Sequence, residues 1–107
     1  MRLNLRDLDR RVVLERGDTG QDSAGEAVTE YVHVARVWAK VQSVSGAEAF
    51  AAQQRYATVT HRIWIQYRAD VTPEHRIVID GRPFDVFEVI EFGRQEWLEI
   101  RATARAE

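Results

Sequence analysis

The sequence predicts an all-β, mainly antiparallel fold: a small six-stranded β-barrel or sandwich with one short inserted α-helix. Three observations carry that expectation. Apolar residues recur at every second position over most of the chain, the period of a strand with one buried face. Turns containing Gly, Pro or Asp separate the alternating runs, and nowhere do strand and helix patterns alternate as βαβ units require. At 107 residues the chain fits one domain, 1–107, without linker, repeat or low-complexity tract.

The elements follow in order. Residues 1–10 form a charged arm; the arginines clustered at the start, Arg2, Arg6, Arg10 and Arg11, interleave with Asp7 and Asp9, read as a solvated mixed-charge segment or one that docks on an acidic partner. "RRVVLERG" (10–17) is a short β-branched strand, and "GDTGQDSAGEAV" (17–28) reads as a mobile turn or loop. From Thr29 a long strand places Tyr31, Ala35, Val37, Ala39 and Val41 on one face and Val34, Arg36, Trp38 and Lys40 on the other. Ser45 and Glu48 have the spacing of a capping box, so a helix is expected to start there, inside an inserted loop at 43–57. Ala47, Phe50, Ala51 and Gln54 give that helix a narrow stripe with one large apolar group, too little to be stable alone. Val59, His61, Ile63, Ile65 and Tyr67 then mark the core face of the next strand. "RIVI" (76–79) and "FDVFEVIEF" (84–92) flank an Asp80–Gly81 hairpin turn, with Phe84, Val86 and Ile90 sharing one face and Phe87 and Val89 the other. "EWLEIRATAR" (96–105) is the last strand.

Composition excludes several function classes. A hydrophobic content of 45 % with 30 % charged residues is that of a water-soluble globular chain, and no apolar run approaches the about 18 residues of a membrane span. "MRLNLRDLDRR" lacks the apolar core of a secretory signal, so export is not expected. The absence of cysteine excludes disulfides and thiolate metal sites. A net charge of −2 with Lys40 the sole lysine offers no broad positive field for a nucleic-acid backbone.

No catalytic, metal or cofactor site is expected. His33, His61 and His75 lie in or at the start of different strands without ligand spacing; His61 reads as a half-buried strand residue and His75 as the start of an edge strand. Ser23, Ser43 and Ser45 lack a nucleophile elbow. Asp80 is a turn residue, while Asp85, Glu88, Glu91 and Glu96 read as a solvent face without the contrasting environments of an acid–base pair. Trp38, Trp64 and Trp97 are flanked by charge, and Arg36, Trp38 and Lys40 come closest to a base-stacking face. An OB-like barrel binding single-stranded nucleic acid or a small ligand is therefore the alternative reading, though core or interface positions account for the tryptophans better.

The order of pieces carries a resemblance. "LDRRVVLER", "DSAGEAV", "VWAKVQSVSGAEAFAAQQ" and "HRIWIQYRADVTPEHRIVIDGRPFDVFEVIE" together resemble the phage head–tail joining family, also called head-closure or stopper proteins, over roughly residues 8–103. Tyr31 and Gln66 depart from residues common in that family, where tryptophan and arginine often stand. The resemblance implies a virion protein of the head–tail interface, made in the bacterial cytoplasm, with no enzymatic activity. It implies a homo-oligomeric ring between the portal-side adaptor and the tail terminator or tail tube, closing the DNA-filled head and letting DNA pass without specific binding. Expected partner contacts are Arg2, Leu3 and Arg6 of the arm, the segment 17–28, and Glu48, Ala49, Phe50, Ala52, Gln53, Gln54, Arg55 and Tyr56 of the insertion, with Phe50 as its anchor and Ser45 and Glu48 as its cap.

Overall fold

In the computed structural model, residues 3–21, 23–44 and 59–104 are described. Six strands form one antiparallel sheet: β1 (Arg10–Gln21), β2 (Ala27–Ser43), β3 (His61–Gln66), β4 (His75–Ile79), β5 (Arg82–Phe92) and β6 (Trp97–Ala104). The sheet closes into a barrel in the order β1-β2-β3-β6-β5-β4. The expected helix at 45–56, with its cap at Ser45 and Glu48, lies outside the described residues.

Alternation along each strand builds the core. Val12, Leu14, Ala39, Ile63, Ile65, Ile77, Ile100 and Ala102 are fully buried, joined by Phe84, Val86 and Leu98. Branched side chains predominate because they pack well on a pleated, half-buried surface. Asp80 and Gly81 both take positive φ (51° and 81°), joining β4 to β5 by the tight turn the sequence predicts. Arg10 ties that turn to the start of β1 through a 2.8 Å ion pair with Asp80.

Closure rests on a short seam. β1 meets β4 over four pairs only, from Val13–Val78 to Arg16–His75. Outside the seam Arg76 Nε donates to Glu15 Oε1 at 2.7 Å, and its guanidinium lies 3.7 Å from the centroid of the Tyr31 ring. His75 begins β4, but as an inner barrel strand and not an edge: it is 6 % exposed, with Nδ1 accepting from the Thr72 backbone N–H.

Two bulges correct the face assignments. Between Leu14 and Glu15 the register shifts, because Leu14 pairs with Ala35 and Glu15 with His33. The unopposed Val34 packs against the core, and Tyr31 parts from Val37 and Ala39, with which the sequence pattern groups it, and lies on the outer face beside Arg76. A second shift lies between Val86 and Glu88. Beyond it Val89, opposite the buried Ile100, packs on the core, while Ile90 takes the outward parity; the sequence pattern has them reversed. The same bulge puts Glu88 on the outer face opposite Arg101, with one carboxylate oxygen buried at 3.6 Å from that guanidinium.

The segment 17–28 is mostly strand, not loop. β1 and β2 stay paired as far as Gln21–Ala27, well past the last β1–β4 pair, so they leave the barrel as a two-stranded ribbon. The molecule accordingly measures 50 × 30 × 25 Å. Gly17 permits this extension: a Cβ there would sit 3.2 Å from Thr29 Cγ2 and 3.3 Å from the Tyr31 ring. Thr19, Val28 and Thr29 supply strand propensity that the glycines mask in a sequence reading.

The core should respond to truncation as a packed barrel does. Leu14→Ala is expected to cost about 2–5 kcal/mol in urea unfolding. Gly20→Ala, where an added Cβ meets nothing within 4 Å, should stay within about 0.5 kcal/mol of the parent.

Candidate functional site

The insertion leaves the barrel through a fixed frame. Ser43 pairs with His61 at the end of the β2–β3 ladder, and one step further the Val44 N–H donates to the Thr60 carbonyl at 2.9 Å. Thr60 is tied equally to β6: its N–H donates to the Ala102 carbonyl at 3.0 Å, and its Oγ1 accepts from the Ala104 N–H at 2.9 Å. The two ends of the segment 45–58 are thus held together by three strands. The expected contact residues Glu48, Ala49, Phe50, Ala52, Gln53, Gln54, Arg55 and Tyr56 fall outside the described residues, as does Arg2.

His61 sits in this frame. Its Nδ1 lies 2.9 Å from Thr60 Oγ1, its Nε2 3.4 Å from Ser43 Oγ, and its ring meets Phe84 edge-on at 4.7 Å. A serine beside an imidazole invites comparison with an acyl-transfer dyad. However, Nδ1 faces a neutral hydroxyl where a triad holds a carboxylate. Burial, and then the positive charge of Arg82, lower the His61 pKa below its ordinary value. Both effects penalise the imidazolium that a general base must form.

The arm is anchored, not free. Asn4 and Asp7 cap a 3₁₀ turn at Leu5–Asp7 reciprocally, Asn4 Oδ1 accepting from the Arg6 N–H at 2.8 Å and Asp7 Oδ2 from the Asn4 N–H at 3.0 Å. Leu8 is buried. Leu3 is half-buried and lines a hollow of 210 Å³ on the outer wall with Arg62, Trp64, Phe92, Trp97 and Glu99. Arg6, by contrast, is exposed. Of the two expected arm contacts among the described residues, Arg6 therefore faces solvent and Leu3 belongs to the chain's own outer layer.

That layer explains the tryptophans individually. Trp64 points away from the barrel axis yet is 2 % exposed, its indole N–H donating to the buried Glu99 at 3.1 Å. Arg101 Nε satisfies the other Glu99 oxygen at 2.9 Å, and the Lys40 ammonium lies 5.6 Å from the Trp64 ring centroid. Trp38 remains half exposed, with the Arg11 guanidinium 4.7 Å from its ring centroid. The stacking face expected at Arg36, Trp38 and Lys40 is therefore divided, Lys40 turning to Trp64 and Arg11 covering Trp38.

Trp38 instead belongs to a groove of 330 Å³ lined by Arg11, Arg36, Val37, Gln66, Tyr67 and Arg68. Sequence reasoning missed this constellation because its residues come from β1, β2 and the end of β3, and no local spacing joins them. Arg68 holds Asp70 by two hydrogen bonds, of 3.1 and 2.9 Å, which lower the Asp70 pKa. Arg36 is exposed. Among the described residues no group of three His, Asp or Glu side chains could hold a metal ion, and no helix is long and apolar enough to cross a membrane.

The His61 environment has a measurable consequence. The folded pKa lies below the unfolded value of about 6.5, so between the two the unfolded chain binds more protons and stability falls as pH is lowered. The urea midpoint should therefore drop from pH 7.5 to pH 5.5 more in the parent than in His61→Gln. Arg82→Gln should shrink the parent's drop.

Known proteins place this architecture. A solution structure of protein SF1141 from Shigella flexneri 2a matches with a TM-score of 0.78 at 28 % identity, covering 98 % of this chain and 99 % of that one. A chain from the virion of a native gene transfer agent particle matches with a TM-score of 0.64 at 27 % identity, covering 89 % of this chain and 92 % of that one. Among curated proteins none matches. The sequence pattern of the phage head completion proteins matches residues 3–105, nearly the whole barrel with its arm, and the chain belongs to that family.

Proposed function

We propose that this protein is a structural subunit of the virion, placed where the DNA-filled head meets the tail, and that copies of it form a ring closing the head and receiving the tail. The observation that carries this reading is the family match across residues 3–105, joined to the shared fold of a gene transfer agent virion chain. The physical features fit a building block. The strands are tied into a closed wall, and burial together with the Arg82 charge disfavours protonation of His61. A net charge of −2 provides little hold on DNA passing through.

Within this reading the segment 45–58 carries the contact with a neighbouring subunit or with the channel. Its alanines and glutamines allow close approach and amide hydrogen bonding, and Phe50 supplies the single large apolar anchor. The frame of Ser43, Val44, Thr60 and His61 fixes where that segment departs from the wall. The adaptor or portal side and the tail side would then engage opposite rims of the ring.

Removing the protein during particle assembly is the direct test. Particles lacking it should lose packaged DNA and fail to accept tails, as scored by nuclease-protected DNA and by electron microscopy. Full heads that still join tails would refute the assignment. Phe50→Ala should leave the thermal unfolding of the barrel unchanged while lowering incorporation into particles, and unchanged incorporation would remove Phe50 as the anchor.

A further inference from the structure

The ribbon that leaves the barrel carries an unusual charge arrangement. Residues 18–30 contain Asp18, Asp22, Glu26 and Glu30 and neither lysine nor arginine, so the rest of this −2 chain is net positive. Asp18 and Glu30 are direct cross-strand partners. Like charges directly opposite one another destabilise a strand pair. Arg16 reaches Asp18 at 3.3 Å, an ion pair that is about half exposed on both sides, while Glu30 stands exposed. Val28 and Val32 lie two residues either side of Glu30 and so share its face, and Val32 is 43 % exposed. The result is a strip on which an acidic pair sits between two valines, on a ribbon that no other strand covers among the described residues.

The groove at Trp38 has the opposite character. Arg11, Arg36 and Arg68 surround Val37, Trp38 and Tyr67, so cations border an aromatic and aliphatic floor. The two features occupy different stretches of the same strand pair: Arg11 is opposite Trp38, and Asp18 is opposite Glu30. Seven residues of β1 separate them, about 23 Å at strand rise, so the strip of one chain cannot reach its own groove.

The geometry points to a head-to-tail contact between copies: the Asp18–Glu30 strip of one chain seats in the Arg11–Arg36–Trp38 groove of the next. This inference rests on the ring reading above and supplies an interface for it. The contact is heterologous, because the two surfaces differ, and such contacts generate rings when the rotation closes. Two carboxylates meet Arg36 and Arg11, and the valines flanking Glu30 meet the face of Trp38 left open by Arg11. Single-stranded DNA suits the groove less well. A phosphate backbone needs a run of uncompensated cations, whereas Arg68 is already held by Asp70.

Charge exchange tests it. Asp18→Lys with Glu30→Lys, and separately Arg11→Glu with Arg36→Glu, should each lower incorporation into particles about tenfold or more, since like charges then face one another. Each variant should retain the parent's thermal unfolding. All four substitutions in one chain, or the two variants supplied together, should restore incorporation to within about twofold of the parent by re-forming opposite pairs. Normal incorporation of either reversed pair, or loss without restoration, overturns the contact while leaving the ring reading intact. Parent protein found as a single copy per particle overturns both. Normal assembly of the strip variant, with loss of single-stranded DNA binding by the groove variant alone, replaces a second copy with DNA as the occupant.

A cross-linking experiment reads the same contact without relying on charge. The chain has no cysteine, so Glu30→Cys with Arg36→Cys introduces the only thiols. A short bis-maleimide added to assembled particles should then give a ladder of multimers. Monomer alone, at the parent's copy number, overturns the proposal.

Discussion

Everything in this molecule depends on closing a six-stranded sheet across a seam of four residue pairs. A sheet curls into a barrel only if its strands tilt and bend together, and bulges supply local bending and twist. Here one bulge lies in β2 beside the seam and the other in the middle of β5, where it pairs with β6. The seam is reinforced outside by the Glu15–Arg76 pair, whose side chains are each only about one-fifth exposed (21 % and 22 %), and by Tyr31 stacked on the same guanidinium. Arg76 therefore links three strands at the place where the barrel closes.

The wall is thicker on one side than a single sheet. β3 and β6 are buried on both faces over Ile63–Ile65 and Leu98–Ile100, because Trp64 and Glu99 on the outside are covered as well. The buried carboxylate is tolerated because indole and guanidinium donors satisfy its two oxygens. Leu3 extends this layer from the arm, so the arm helps to cover the outer aromatic face.

Much of this was legible from the residues. Period-two alternation marks Ile63 and Ile65 as core and places Val12, Leu14, Ile77 and Ile100 in strands, and Asp80–Gly81 announces its own turn. The face assignments fail at Tyr31, Val89 and Ile90, each on the far side of a bulge, because one unopposed residue inverts every later parity and leaves no local signature. The stretch 17–28 misleads for another reason: its glycines and acids look like a loop, but residues 17–21 pair with 27–31 as a continuation of β1 and β2. The candidate surfaces were less legible still. Arg11, Arg36, Trp38, Tyr67 and Arg68 meet only through the pairing of β1, β2 and β3, and the Trp64–Glu99 bond joins residues 35 apart in sequence.

Thr60 gives the frame at the insertion a mechanical character. A segment emerging from the end of an ordinary hairpin can peel its strands apart one bond at a time. Here the last residue before β3 is bonded to β2 through the Val44 N–H and to β6 through Ala102 and Ala104. Tension applied to the segment 45–58 must therefore break bonds to both neighbouring strands at once before β3 can begin to lift. The load is shared across half the barrel's circumference, and Thr60 acts as the rivet that stops the tear from starting.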